Sequence, residues 1–294
     1  MHVVIVGYGR AGRQHAAAIE RTEKVRVRAI VEPDENVDAG PYERAASWSD
    51  ILADPDVDGV ALCIPPGRRA EMALQALAAG KAVLLEKPPA MSLEEFERLA
   101  RAPGRVTVML QHRYRLPDEA VEGWNGGSTG TLVVSRPRSD KHFSGWRGDP
   151  GQALGGITAH LGVHYLDIAC QLLGKVERVE IGHYRECAPG IDVRTAGTIL
   201  FESGATLAFT VAADVDARAE HLVLAGEGGR RLEIRDGAVR LQDGQRVTDF
   251  PAAPTAELRT RVYEEFAGAP GRCALEPSRD VVAVLDEVRR AGER

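Results

Sequence analysis

A short apolar run that breaks at once into G-x-G-x-x-G leaves a chain little freedom of fold. Val3, Val4, Ile5 and Val6 are apolar and β-branched, the pattern of a strand covered on both faces of a parallel sheet. Gly7, Gly9 and Gly12 follow, and Arg13 to Glu20 reads as a helix. The first glycine permits a tight turn, the second lets a pyrophosphate approach the backbone, and the third lets the helix pack closely on the strand. The helix N-terminus adds free N–H groups and a positive dipole end. A second strand, Val25 to Val31, ends at Glu32, where an acidic side chain meets the hydroxyls of an adenine ribose. Gly7, Tyr8, Gly9, Arg10, Ala11, Gly12 and Glu32 are therefore expected to bind a dinucleotide. NAD is expected over NADP: Pro33, Asp34 and Glu35 follow the acid, so a 2′-phosphate would meet carboxylates.

The alternation of strand and helix continues. Ser49 to Ala53 reads as a short helix, and the strand Val57 to Ile64 ends at Pro65-Pro66, where two prolines without N–H groups stop a ladder and turn the backbone outwards. Arg68 to Ala79 has helical spacing and closes at Gly80, a C′ residue. Ala82 to Leu85 is a buried strand that runs into Glu86-Lys87-Pro88-Pro89. Ser92 and Glu95 form a capping box for the helix Leu93 to Arg101, and a further strand, Val106 to Leu110, leads into Gln111-His112-Arg113-Tyr114-Arg115. In a doubly wound sheet, ligands sit outside the carboxyl ends of the strands. The glycine loop, Glu32, Pro65, Pro66, Glu86, Lys87 and Arg113 all follow strand ends and are expected on one rim. Arg115 qualifies on the same ground.

The pattern changes near residues 118–130, where Gly123, Gly126, Gly127 and Gly130 cluster. Thr131 to Arg136 reads as a strand, Pro137 to Gly156 as irregular, and His160 to Leu173 as one helix stopped by Gly174. Strand signals then follow at Val176–His183, Thr195–Glu202, Ala205–Ala212, His221–Ala225, Arg231–Arg235 and Ala238–Leu241, with Ser203-Gly204 and Asp236-Gly237 as turns. Thr255 to Phe266 and Ser278 to Arg290 read as closing helices. The expected class is α/β: a Rossmann doubly wound parallel sheet over 1–118, then an α+β domain over 119–294 with a large open, mainly antiparallel sheet. The final helix is expected to pack back on the first domain.

With 294 residues the chain can make two domains of ~150 residues. Its net charge of −6 argues against a nucleic-acid surface, and no stretch approaches the ~20 apolar residues of a membrane span. The sequence opens in a strand without signal-peptide regions. Cys63, Cys170, Cys187 and Cys273 form no C-x-x-C pair and no metal spacing. A cytoplasmic location with free thiols is the expectation.

Read with the glycine loop, Glu86-Lys87-Pro88 resembles the E-K-P motif of the glucose–fructose oxidoreductase and inositol dehydrogenase (Gfo/Idh/MocA-type) family. Trp146-Arg147, Gly155-Gly156 and Gly162-Val163-His164-Tyr165-Leu166-Asp167 resemble that family's W-R, G-G and G-x-H-x-x-D signatures, in the same order. The match covers nearly the whole chain. The resemblance implies a Rossmann domain and an open-sheet domain, with hydride transfer between NAD and a sugar, cyclitol or sugar derivative. It implies that Lys87 is a proton-transfer or orienting group, that Glu86 bonds the nicotinamide ribose, and that His164 contacts the reacting oxygen. Many family members carry aspartate four residues before that histidine, on the same helical face; here the residue is His160, a possible partner of His164 in catalysis.

Lys87, Arg147, His160 and His164 are the expected substrate-binding residues, and Trp146 joins the cofactor set. Arg147 has three readings: cofactor phosphate, substrate, or an internal carboxylate. Asp167 has two, a structural partner of its helix or a chemical group. His160 and His164 could be read as metal ligands by their spacing, but no third ligand is evident and no metal is expected. His15, His112 and His183 read as packing or surface histidines. Two rival activities share these motifs: glycoside cleavage with retained NAD, and cofactor binding with weak or no turnover. A homodimer or homotetramer is expected through the C-terminal sheet, with Ile199, Phe201, Leu207 and Phe209 supplying an apolar face that needs cover.

Overall fold

In β1 (His2–Val6) the residues Val3 to Val6 are at most 3 % exposed, as a strand covered on both faces must be. The same holds for β3 (Gly59–Leu62) and nearly so for β4 (Ala82–Leu85). With β2 (Arg26–Val31) and β5 (Val106–Val108) they form a parallel sheet in the order β2-β1-β3-β4-β5. This is the computed structural model of the chain, and it describes residues 1–45, 47–124 and 127–293. Crossovers run through α1 (Arg10–Ile19), α2 (Trp48–Ala53), α3 (Arg69–Ala78) and α4 (Leu93–Arg101). α4 shows how such a helix is specified. Phe96 and Leu99 are buried, while acids lead its first turn and arginines its last, which suits the helix dipole. The order reverses between β1 and β3, the place where ligands bind in such sheets.

The second sheet joins β6 (Thr129–Ser135), β7 (Val176–Ala188), β8 (Ile191–Phe201), β9 (Thr206–Ala212), β10 (Ala219–Ala225), β11 (Arg231–Arg235), β12 (Ala238–Asp243) and β13 (Arg246–Phe250). Its order is β13-β12-β11-β10-β6-β9-β8-β7, antiparallel except for the β6–β9 pair. Asp236 and Gly237 both have positive φ, 48° and 91°, which makes their turn match the twist of the β11–β12 hairpin. One face is covered by α5 (Val163–Leu173) and by the last helix of the chain. Leu132, Phe209 and Leu222 pair across β9, β6 and β10 on that face and are at most 2 % exposed; each such side chain stabilises the fold by ~1.5–3 kcal/mol. Ile199, Phe201, Leu207 and Phe209 also lie there, at 0 to 2 % exposure. They do not form the open face, which the register assigns to Thr131, Val133, Ala208, Thr210, His221 and Val223.

Contacts divide the chain at Gln111/His112 rather than at residue 118. The first unit is Met1–Ala90, Glu94–Gln111 and Pro254–Pro277; the second is Met91–Leu93, His112–Ala253 and Ser278–Arg294. The helix that returns to the first unit is α6 (Thr255–Ala267), whose Thr260 hydroxyl donates to Ala18 O of α1 at 3.1 Å. The final helix, α7 (Arg279–Ala291), stays with the second unit, where Asp280 accepts the Val176 N–H at 2.9 Å. Two further differences matter. β13 adds a strand that the sequence reading omits, and the helix expected from His160 opens as a π-turn, Thr158–Gly162, before α5 begins. Gly126, in the glycine cluster, lies outside the described residues.

Candidate active site

The three glycines of the first loop meet three different constraints. Gly7 has φ +88°, and a Cβ there would lie 2.8 Å from Cys63 O. A Cβ on Gly12 would lie 2.1 Å from Gly7 O, so only glycine lets α1 sit against its strand. At Gly9, which caps α1, a Cβ would meet nothing within 4 Å. Space beside a bare backbone at a helix N-terminus is what a pyrophosphate needs. No acid lies in the first turn of α1 to oppose it. Arg10 is exposed there and Ala11 half-buried.

Glu32 follows β2 and its carboxylate is held from two sides. Oε2 accepts the Tyr8 N–H at 2.8 Å, and Oε1 accepts the Asp34 N–H at 3.1 Å. Tyr8 is buried beneath the following loop, its ring edge-on to Tyr42 at 5.8 Å, with the Arg13 guanidinium 5.1 Å above it. Arg44 ties that loop from behind, donating to Glu32 O at 2.7 Å, to Asp34 O and to Val37 O. Its donors go to carbonyls and its charge stands near Glu32, a feature that the local sequence Pro33-Asp34-Glu35 does not reveal.

At the ends of β3 and β4, Arg69 is the strut. Buried at 3 % exposure, it donates to Glu86 O at 2.8 Å, to Ile64 O at 2.5 Å and to Pro88 O. The segment Ile64-Pro65-Pro66 is thereby joined to the E-K-P motif. Burial lowers the Arg69 pKa to about 10, against the favourable charge of Glu86. Glu86 Oε1 pairs with His15 Nε2 at 2.9 Å, and Oε2 accepts the Lys87 N–H at 3.1 Å. Burial alone would raise the Glu86 pKa. The His15 hydrogen bond and charge, then Lys87 and Arg69, outweigh it and hold the carboxyl at about 2. Lys87 is half-buried, next in the chain to this ionised group. A cavity lined by Met1, Asp58, Lys81 and Arg105 among others opens instead at the amino ends of the strands. It holds none of the motif residues.

In the second unit, the G-G segment and the start of the π-turn after it are organised by Asp192 of β8. This fully buried carboxylate accepts from Gly156 N at 2.7 Å, Thr158 N at 3.0 Å, Thr158 Oγ1 at 2.6 Å and Thr195 Oγ1 at 3.1 Å. A Cβ on Gly156 would lie 2.0 Å from Asp192 O, which is why the second glycine of the pair is required. The two histidines fall in different elements, His160 in the π-turn Thr158–Gly162 that follows and His164 in the first turn of α5, and their rings have different partners. His160 is half-buried with its ring edge-on to Trp146 at 5.7 Å and His142 at 5.8 Å. His164, 7 % exposed, stacks on His112 at 4.2 Å. Arg147 lies over the Trp146 ring at 4.5 Å.

Two candidates turn out to be internal. Arg113, expected on the cofactor rim, is 2 % exposed and grips Asp167, with Nε to Oδ2 at 2.8 Å and Nη2 to Oδ1 at 2.6 Å; Nη2 also donates to Ser278 Oγ at 3.0 Å. Asp167 is thus the structural partner of its helix. Burial raises its pKa, with Arg113 opposing. Arg115 donates to Gly237 O at 3.1 Å. Conversely, the sequence reading takes His15 and His112 for packing or surface histidines and passes over Arg69, His142 and Asp192. The one signal available was positional: His15 falls three residues after Gly12, on the face of α1 that carries Gly12, Ala16 and Ile19 inwards.

Residues 1–114 match a family model described as an oxidoreductase family with an NAD-binding Rossmann fold, and residues 128–232 match the GFO/IDH/MocA C-terminal domain. A 1,5-anhydro-D-fructose reductase of Ensifer adhaerens is 30 % identical over 182 residues, covering 58 % of this chain and 55 % of that protein. A myo-inositol 2-dehydrogenase of Thermotoga maritima is 25 % identical over 226 residues, covering 70 % and 66 %. The chain spans about half the length of the first curated relatives it matches. A solved levoglucosan dehydrogenase, in complex with NADH and levoglucosan, has the same fold: TM-score 0.83 over 100 % of this chain and 97 % of that one, at 17 % identity.

Proposed function

We infer, from the premise that this chain belongs to the Gfo/Idh/MocA oxidoreductase family, that it moves hydride between NAD(H) and a hydroxyl- or carbonyl-bearing carbon of a sugar, cyclitol or sugar derivative. The observation that carries this reading is the glycine cradle, open at Gly9 and closed at Gly7 and Gly12, with Glu32 after the next strand. These residues fit a dinucleotide. Gly9 and the first turn of α1 would take the pyrophosphate, Glu32 the adenine ribose and Glu86 the second ribose. When bound, the nicotinamide supplies the hydride acceptor or donor.

The rest is proton chemistry for the side chains. As hydride leaves a carbinol its hydroxyl must lose a proton, and in reduction the developing alkoxide must gain one. Lys87 is the first group proposed for that proton, because its ammonium form also brings positive charge to the oxygen. His164 is the second, held in place by its stack on His112. His160, Trp146 and Arg147 are also proposed to contact substrate. A homodimer or homotetramer formed through the C-terminal sheet and a cytoplasmic location complete the proposal. The latter is supported by four cysteines that form no disulfide and by the absence, among the described residues, of any helix long and apolar enough to cross a membrane.

The test is direct. NADH and NADPH are titrated into the purified chain, and a panel of sugars, cyclitols and sugar acids is then screened for change in the absorbance of reduced nicotinamide. Turnover with a panel member is expected. Release of aglycone from a glycoside without net change in the nicotinamide would replace this reading with cofactor-assisted hydrolysis. Binding without turnover on the whole panel would leave a cofactor-binding protein.

A further inference from the structure

His15 has a polar partner at each ring nitrogen, and one of them is the carboxylate of the E-K-P motif. It is 0 % exposed, with Nδ1 2.7 Å from Tyr263 Oη of α6 and Nε2 2.9 Å from Glu86 Oε1. The Tyr263 ring stands edge-on to it at 5.6 Å. The chemistry fixes the directions. An ionised carboxylate can only accept, so Nε2 carries a proton and donates to Glu86. Burial holds the Tyr263 hydroxyl protonated, well above its ordinary pKa, so it can donate to Nδ1 whenever that nitrogen carries no proton. If His15 takes a second proton, the Nδ1 bond reverses while Nε2 still donates. The hydrogen bond to Glu86 survives either state.

We propose that His15 and Tyr263 are positioning residues that keep the Glu86 carboxylate of the E-K-P motif ionised and aimed as an acceptor for the cofactor's ribose hydroxyls. The proposal rests on the dinucleotide reading above and deepens it: the glycine loop and the E-K-P motif become one assembly, joined through the helix between them. Glu86 faces His15 on α1, Tyr263 and Arg259 on α6, Arg69 on α3, Cys63 after β3, and its neighbour Lys87. With Oε1 bonded to His15 and Oε2 to the Lys87 N–H, the remaining lone pairs have one orientation. Burial is the largest single influence on this carboxyl and acts to protonate it; His15 is the chief opposing one. Remove His15, and the chief group opposing burial is gone, so the carboxyl takes a proton more readily as the pH falls and an acceptor is lost.

NADH affinity of the intact chain, followed by quenching of protein fluorescence between about pH 5 and pH 8, tests this. The wild-type dissociation constant should have no component from Glu86 across that range, because the carboxylate stays ionised. For His15→Leu it should weaken by roughly tenfold or more from the upper to the lower pH. His15→Gln, which keeps a donor near Nε2, should restore the flat profile, and Tyr263→Phe should show a smaller slope of the same sign. Thermal melting of each variant separates fold from function, since a packing role shifts the melting temperature and leaves the pH profile flat. Leucine and phenylalanine variants with wild-type profiles would overturn the relay. Wild-type protein that binds no NADH would overturn the dinucleotide reading beneath it.

Discussion

Lys87 leaves the carboxyl end of β4 next to a carboxylate held at about 2, and its proposed work is in chemistry rather than folding. Lys87→Ala should lower turnover by ~10²-fold or more, the scale of an acid–base contribution, with NADH affinity and melting temperature nearly unchanged. Unchanged turnover would remove Lys87 from the mechanism; His164→Ala, measured beside it, would show which group carries the proton. Glu32 permits a second prediction. Glu32→Ser with Pro33→Arg should move the preference from NADH towards NADPH by about tenfold, since ~1.4 kcal/mol suffices. The double variant should also bind both cofactors more weakly, because the Tyr8 and Asp34 N–H groups lose their shared acceptor. Tighter binding of NADPH than NADH by the wild type would reverse the reading of Glu32. Such residues are legible in the sequence because strand ends announce them. His15 and Arg69 were not, since their partners Glu86, Tyr263 and Pro88 come from other parts of the chain. Arg113 misled for the same reason: a position after a strand does not reveal that Asp167 has claimed the guanidinium.

The parallel strands were readable from β-branched runs, and the hairpins from Ser203-Gly204 and Asp236-Gly237, where Gly204 and Gly237 have φ of 87° and 91°. The π-turn was not. Thr158-Ala-His-Leu-Gly162 has nothing that forbids an ordinary helix. The group that serves as its cap is Asp192, 34 residues from Thr158 and on another strand. A cap normally comes from the residue just before the helix; one supplied from a distance leaves no local signal. Asp192→Ala should therefore do more than a surface change. It strips the acceptor from the Gly156 and Thr158 N–H groups and from the Thr158 and Thr195 hydroxyls, and each buried donor left unmet costs ~1–3 kcal/mol. Melting should fall by about 5 °C or more, and turnover should fall with it as the π-turn that carries His160 loses its frame. NADH binding by the first unit should persist. A variant with wild-type melting and turnover would show that Asp192 does not organise this segment.

At the scale of the whole molecule, the return of α6 to the first unit was hidden because both C-terminal helices have an inward apolar face; Leu258, Val262 and Phe266 of α6 resemble Val281, Leu285 and Val288 of α7. What separates them is partner chemistry, Thr260 on Ala18 O against Asp280 on Val176 N. The sheet of the second unit poses the remaining question. Its covered face takes the large apolar side chains, including the four that the sequence assigned to an interface. The open face is built from smaller ones: Val133 stands between Thr210 and His221, and Thr131 between Ala208 and Val223. Val133 is 44 % exposed at the centre of this eight-stranded sheet. Short β-branched residues on a broad flat face suit sheet-on-sheet packing, in which two such faces approach to ~10 Å. A second copy of the chain is therefore proposed to cover this face, and Val133→Glu should break the pairing. A carboxylate there would be desolvated beside its symmetry mate. Light scattering at micromolar concentration should report a dimer or tetramer for the wild type and a smaller species for the variant, with circular dichroism unchanged. A monomeric wild type would refute the pairing, and a variant of unchanged mass would move the interface off this face.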